Sequence, residues 1–441
     1  LQSRQQTGLP RELIFVDNGS RDGSREWLKG LQARFDWVRV ETQDRNLGFA
    51  GGCNAGLRAA RGATLAILNN DTLVETRLLQ KLLTALDEDP RTGLVAPVSN
   101  YVMGSQQVQL LPTESQEDVE AIADRLEREA PGKRSEVEHL AGLCLLGRRA
   151  FFEQTGLFDP VYGLGNYEDN DLCLRARIAD HRLIVVHDAY VHHFGNRSFR
   201  DLGIDYESQL ESQRRLHRQR WQGCLLFELE EAVLADDHAS ILELSETLPP
   251  DAPGRDWCLR IRAKALVDSG RQEEARRLYT EFCERHPLHT ESACLLAFCH
   301  LDNDDVERGR QLLARALGEC HMDDGFAASV LARLAHWCWT RSLRAEAHQH
   351  LAAARKIRPG ALSTTIVESG FLLEEERYDE VLSVLTPLRD EAHTDILANL
   401  GIAHFHKGNL EQAIADFEEG ARLGGPGSAA AANLAQVRAL A

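Results

Sequence analysis

Three carboxylates stand within four residues at Glu168-Asp169-Asn170-Asp171, ahead of an apparent helix containing Leu172, Leu174 and Arg175. Acids complement the positive end of a helix. That explains one or two more readily than three, because crowded carboxylates repel. Crowding raises a pKa and leaves one group suited to take a proton. Arg175, four residues after Asp171, is placed to steady it through an i,i+4 pair. A second acid, Asp71, follows an apolar run over residues 63–68 and the pair Asn69-Asn70. A carboxylate at such a strand end can hold Mg²⁺ or Mn²⁺, hard cations that bridge substrate phosphates. A third, Asp17, ends the run Leu13–Asp17 and precedes Asn18-Gly19-Ser20. It reads either as a polar turn residue or as an acceptor for a nucleobase or ribose.

Between these acids lies Asn46-Leu47-Gly48-Phe49-Ala50-Gly51-Gly52-Cys53-Asn54-Ala55-Gly56. Four glycines so close together allow a backbone to approach a ligand, and a following helix aims its N-terminus at the same place. Neither GxxxxGK[ST] nor GxGxxG is present. His187, His192 and His193 border apolar runs at 183–186 and 189–191. A lone histidine there is an ordinary core residue, whereas a His-His pair at a strand end can supply a metal ligand.

The elements that must position these groups alternate. Strands are expected at 13–17, 37–40 and 63–68, with helices around 27–35 and 54–60. Such βαβ alternation predicts an α/β domain with a mostly parallel sheet, whose chemistry lies past the carboxyl ends of the strands. The charged segment 113–138 reads as a solvated helix or as a lid on the acceptor side.

From about residue 223 the alternation stops and the chain repeats. Small residues recur at Ala275, Gly309, Ala347, Val381 and Ala413. Large apolar residues follow four positions later at Tyr279, Leu313, Leu351, Leu385 and Phe417. Twelve positions before the small set stand Ala263, Ala297, Ala335, Ser369 and Gly401. Paired helices of about 34 residues have this period. The expected organisation is 1–222 as the α/β domain, 223–254 as a helical linker or degenerate repeat, and 255–441 as an all-α solenoid.

The 441 residues carry a net charge of −18, which argues against nucleic acid as a partner. Residues 1–222 hold 28 basic and 32 acidic side chains, against 22 and 36 in the remainder, so the acidity belongs to the repeats. No window approaches the eighteen apolar residues of a membrane span. Ten cysteines without a CxxC pair read as reduced thiols, which places the chain in the cytoplasm or at most on the inner face of a membrane.

Taken in order, VDNGSRDGS, NLGFAGGCNAG, LNND, GLFDP with YEDNDLCLR, and VHHFGNRSF resemble the inverting family 2 glycosyltransferases of GT-A fold over about 11–200, the rhamnosyltransferase-like members above all. The repeats resemble the tetratricopeptide (TPR) repeat. The resemblance implies a sugar-nucleotide donor (a UDP- or dTDP-sugar), a saccharide or protein acceptor, and Mg²⁺ or Mn²⁺. It assigns Asp169 as the catalytic base, with Glu168 and Asp171 orienting the acceptor and the motif. Donor binding falls to Asp17, Asn18, Ser20, Asn46, Gly48, Gly52, Asn54, Asn69 and Asn70, and the metal to Asp71 with His192 or His193. Asn69 replaces the first acid of the usual metal motif and removes one charge. Family members open on an apolar strand. Here residues 1–6 read as the tail of the helix after it, so a truncated N-terminus and an unpaired sheet edge are expected. Solenoids present concave surfaces for peptides, and the acidic one here suits a basic or amphipathic segment. The competing readings are a TPR scaffold with an inactive transferase-like domain, and a nucleotidyltransferase, which has no need of the YEDND cluster.

Overall fold

The computed structural model describes residues 12–102, 104–108, 115–195, 205–246, 248–319, 322 and 324–440. The chain forms two compact units, Leu1–His321 and Met322–Ala441. The first unit opens with β1 (Leu13–Asp17), α1 (Ser24–Arg34), β2 (Val38–Thr42), α2 (Gly48–Ala59), β3 (Thr64–Leu68) and β4 (Thr72–Val74). It continues through α3 (Leu78–Asp87), β5 (Thr92–Ser99), α4 (Gln116–Glu129), β6 (Arg134–Glu136) and β7 (Cys144–Arg148). Helices α5 (Arg149–Thr155) and α6 (Glu168–Ile178), strand β8 (Arg182–His193) and α7 (Tyr206–Trp221) complete the α/β part.

The sheet is mixed, which corrects the expectation of mostly parallel strands. Parallel pairing joins β1 to β2 and β5 to β8, while β3–β7, β5–β7, β4–β8 and β6–β8 are antiparallel. Strand β7 runs antiparallel to both of its neighbours, β3 and β5, and β4 runs antiparallel to β8, each meeting partners far away in sequence. The sheet order is β3-β7-β5-β8-β4, and among the described residues β1 pairs with β2 alone. Residues 1–11, on which the expected missing strand turns, lie outside the described residues.

Alternation along the central strands builds two cores, one on each face. Leu94, Ala96, Val98, Leu183 and Val185 bury with Phe151, Phe158 and Leu172 on one face. Val95, Leu146, Ile184 and Val186 bury against Leu78, Leu82 and Leu86 of α3 on the other.

The same unit contains helices α8 (Leu225–Leu234), α9 (His238–Leu244), α10 (Arg255–Asp268), α11 (Gln272–Arg285), α12 (Thr290–Asp302) and α13 (Val306–Glu319). Trp257 and Phe282 share a cluster with Leu174 of α6. Buried charges join the parts as well. His286 contacts Glu136 of β6 at 2.6 Å and Asp256 of α10 at 3.1 Å, and Arg260 reaches Glu138 at 2.8 Å. The first helices after residue 222 therefore pack against the α/β part, and the first compact unit runs on through α13.

The second unit is all-helical: α14 (Asp324–Thr340), α15 (Arg344–Ile357), α16 (Leu362–Glu374), α17 (Tyr378–Leu385), α18 (Thr394–His406), α19 (Leu410–Gly424) and α20 (Ala429–Leu440). The small and large repeat positions are buried throughout, Ala347 and Leu351 in one hairpin, Ala413 and Phe417 in another. A Cβ on Gly401 would stand 2.5 Å from the Phe417 ring, which is why that position admits only the smallest residue.

Candidate active site

The acidic cluster opens α6, as its spacing predicts, and the three carboxylates separate into three environments. Asp169 Oδ2 accepts from the Gly142 amide at 3.0 Å and Oδ1 from the Asn170 amide at 2.9 Å. His139 Nε2 lies 3.8 Å from Oδ2, beyond hydrogen-bond length. Burial raises the Asp169 pKa, but His139 and the two amides outweigh it and hold the group below the usual carboxylate range. Its side chain keeps 18% of its exposure, so an ionised oxygen has an open edge.

Glu168 is the reverse case. It is 6% exposed, and its Oε2 is buried with no hydrogen-bond partner. Burial, then the neighbouring Asp169 charge, pushes its pKa up to about 8. The crowding read from sequence is real, and it falls on Glu168.

Asp171 has no exposed side-chain surface. Oδ1 accepts from Arg220 Nε and Trp221 Nε1, each at 3.0 Å, and Oδ2 accepts from Arg175 Nε at 2.8 Å. Arg175 donates onward to the Leu157 carbonyl at 2.9 Å. The expected i,i+4 pair is thus one arm of a knot that ties α6 to α7 and to the 155–157 loop. A carboxylate so enclosed fixes the head of α6 and is not presented to solvent. The entry to α6 is strained: Asn166 and Tyr167 both adopt left-handed backbone, at φ 73° and 72°. Non-glycine residues hold such angles only where their surroundings impose them. The Tyr167 ring packs at a tilt against His217 of α7, centroids 5.2 Å apart, and the Tyr162 hydroxyl lies 2.8 Å from His217 Nδ1.

The second group lies on the β3–β4 turn beside the end of β8. His193 Nδ1 faces the Tyr101 carbonyl at 3.1 Å, so that nitrogen must carry a proton. Nε2 then faces Asp71 Oδ1 at 3.2 Å. A lone pair facing a carboxylate at that distance is stable only with a proton or a cation between them. Burial lowers the His193 pKa, but the Asp71 and Tyr101 contacts prevail and raise it. Strand alternation turns His192 to the opposite face, where it is 5% exposed and contacts the Tyr190 hydroxyl at 3.2 Å. Of the two histidines, only His193 stands beside Asp71. The Asn69 side-chain oxygen on the same turn is buried without a partner, and Asn70 is exposed. An orphaned amide oxygen, a carboxylate and an imidazole are a donor set that suits a divalent cation.

Of the expected donor-binding residues, Asp17, Asn18, Ser20, Asn46, Gly48 and Gly52 are brought together, engaged largely with one another. Asp17 is 2% exposed; Oδ1 accepts from the Ser20 amide at 2.9 Å and Oδ2 from Arg25 Nε at 2.7 Å. Burial acts upward on Asp17, and the Ser20 and Arg25 bonds more than reverse it. Asn18 donates to Asn46 Oδ1 and to the Gly48 carbonyl, both at 3.0 Å, and accepts from the Leu47 amide at 2.9 Å. Asn54, 1% exposed, clamps both backbone groups of Phe158, donating at 2.7 Å and accepting at 3.1 Å.

The expected glycine loop is the start of α2. The close approaches that its glycines permit are to the protein itself. Gly48 has φ +74°, and a Cβ there would stand 1.8 Å from the Gly163 carbonyl oxygen. One on Gly52 would meet the Asn18 amide at 3.2 Å. Beside this helix is an open pocket of about 510 Å³, lined by Arg45, Asn46, Gly48, Arg58 and Leu164 among others. Arg45, Arg58 and His139 carry no sequence signal that would single them out; only the fold brings them to the site.

Among known proteins, an uncharacterized protein of Mycobacterium tuberculosis (strain ATCC 25618 / H37Rv) is 30% identical over 195 residues, 42% of this chain and 65% of its own length. An N-acetylglucosaminyl-diphospho-decaprenol L-rhamnosyltransferase of the same strain is 29% identical over 221 residues, 44% of this chain and 70% of the relative. The chain therefore spans just under two thirds of the first of these relatives. A solved mannosyltransferase from Pyrobaculum calidifontis, in complex with GDP-Man and Mn²⁺, aligns loosely at TM-score 0.33 and 17% identity, covering 71% of this chain and 80% of its own. Among the described residues no helix is long and apolar enough to cross a membrane. Residues 2–156, within the α/β part of the chain, match the family model of Glycosyl transferase family 2.

Proposed function

We propose that this domain transfers a sugar from a nucleotide-diphosphate donor to an acceptor hydroxyl in one displacement with inversion, with Asp169 as the base. The observation that carries this reading is the Asp169 carboxylate. It is ionised, gripped by the Gly142 and Asn170 amides, and open along one edge at the head of α6. A base held this way meets an acceptor hydroxyl without first reorganising. Glu168, kept protonated by burial and by Asp169, places no second negative charge beside the attacking oxygen. Asp171 acts at one remove, fixing α6 through Arg175 and Arg220.

Asp71, His193 Nε2 and the Asn69 side-chain oxygen are the groups that would hold Mg²⁺ or Mn²⁺. A cation bound there would offset the charge that builds on the departing diphosphate. Arg45 and Arg58, neither paired with an acid among the described residues, add positive charge to the adjoining pocket. Asp17 and Asn18 serve the donor by fixing the turn that bears Asn46, and Asn54 does so by holding Phe158. The relatives include an L-rhamnosyltransferase acting on a diphospholipid-linked sugar, which makes a deoxyhexose donor the first to test. The helical part, with its acidic surface, serves as the docking site for the acceptor or for a partner protein, in the cytoplasm.

Donor turnover by the purified chain, screened by mass spectrometry across UDP-, dTDP- and GDP-sugars, tests the reading. Asp169→Asn is expected to reduce turnover by about 10²-fold or more. Unchanged turnover in that variant would remove Asp169 from the chemistry. No turnover with any donor would leave the chain as a scaffold.

A further inference from the structure

In the second unit, the hairpin formed by α14 and α15 places three metal-ligating side chains together. Cys338 Sγ, a carboxylate oxygen of Glu346 and a ring nitrogen of His350 all lie within 4.8 Å of one another. Cys338 is fully buried, and the other two are half-buried. Ligands around a tetrahedral zinc ion stand roughly 3.3–3.8 Å apart, so closing onto a metal needs only side-chain adjustment.

The repeat explains why they meet. Cys338 lies three residues after Ala335, the small position of the first helix in its hairpin, and His350 lies three after Ala347, that of the second. In other hairpins the equivalent pairs are Leu266 with Leu278 and Leu372 with Val384, and each pair shares one apolar cluster. The last hairpin carries His404 and Asp416 there, 3.8 Å apart. The register therefore brings these two positions into contact whatever their chemistry. In the α14–α15 hairpin that contact is a thiol and an imidazole. Glu346, four residues before His350, lies on the same face of α15.

We propose that Cys338, Glu346 and His350 form a zinc site within this hairpin, with water in the fourth position. Thiolate, imidazole and carboxylate are the donor set that zinc takes, and the thiol gives up its proton to the solvent on binding. The site joins α14 to α15 independently of the sugar-transfer chemistry.

The test uses the full chain purified without chelator. Wild-type protein is expected to hold about one more zinc ion per chain, by plasma mass spectrometry, than a Cys338→Leu/His350→Leu variant. That variant restores the pairing that other hairpins use, so its fold should survive. Cobalt should give a thiolate-to-metal absorption band in the wild type that the variant lacks. Should the double variant fail to fold, Cys338→Ser, nearly the same size, supplies the comparison. Equal zinc in wild type and variant, or no thiolate band with cobalt, overturns the proposal.

Discussion

At the scale of single residues, the site sorts its carboxylates by what surrounds them. Asp169 and Glu168 are neighbours in sequence, yet one is held ionised by amides and the other is driven neutral by burial. The same contrast yields a stability prediction. Glu168 has a folded-state pKa of about 8, above its ordinary value of 4.5. The unfolded chain gives up that proton at lower pH than the folded chain does, so the folded state binds more protons between the two values. Stability from this group is complete below about pH 4.5 and is lost progressively as pH rises towards 8. Glu168→Gln removes that loss. In scanning fluorimetry the variant should match wild type near pH 5 and melt higher by on the order of 2 °C or more near pH 8.5. A variant that tracks wild type at both pH values would mean that Glu168 is not held protonated. Asn54 makes a second prediction at this scale. Asn54→Ala strands the Phe158 amide and carbonyl in the interior and should cost about 2–4 kcal/mol in urea denaturation.

At the scale of elements, α2 marks the limit of what sequence reading could reach. Its glycines were legible as a demand for close approach, because no other residue type tolerates one. The sequence could not say what approaches, since Gly163, Asn18 and the Leu47 side chain come near only once the chain has folded. The same holds at His139, whose distance from Asp169 depends on β7 and α6 meeting. By contrast, the strand-end acids, the acidic opening of α6 and the Asp171–Arg175 pair were legible, because each depends on local periodicity alone. The pairing direction of β4 and β7 was not, because their partners β8, β3 and β5 lie far away in sequence. The glycine argument separates two substitutions of one kind. Gly48→Ala puts a Cβ 1.8 Å from a carbonyl oxygen at a positive φ, and should cost about 2–4 kcal/mol or prevent folding. Gly30→Ala, in the exposed interior of α1 with nothing within 4 Å of the added carbon, should stabilise by about 0.5–1 kcal/mol. Urea midpoints for the pair decide it: equal effects would mean that the Gly48 contact is relieved by a small backbone shift.

At the scale of the molecule, composition separated an almost neutral half from an acidic one, and the repeat register found the helix pairs. The sequence placed their join at the start of the helices, where strand periodicity stops. The first compact unit extends to residue 321, because the first hairpins bury the back of α6. Leu174 of α6 lies in one cluster with Trp257, Ile261 and Phe282. Arg177 of the same helix pairs with Glu230 of α8, and Glu136 is shared between Arg182 and His286. Breaking a buried ion pair by removing one partner costs about 3–5 kcal/mol, since the remaining charge stays in a dry environment. A fragment ending at residue 222 loses Glu230, Trp257, Arg260 and His286 together, which is comparable to the whole stability of an ordinary domain. A fragment ending at residue 321 keeps all four. The longer fragment should therefore melt cooperatively and retain donor binding, while the shorter one should be insoluble or bind dyes that report exposed apolar surface. If residues 1–222 alone melted as sharply as residues 1–321, the helices after α7 would be passengers on the α/β sheet, and α6 would owe its position to α7 and the Asp171 knot alone.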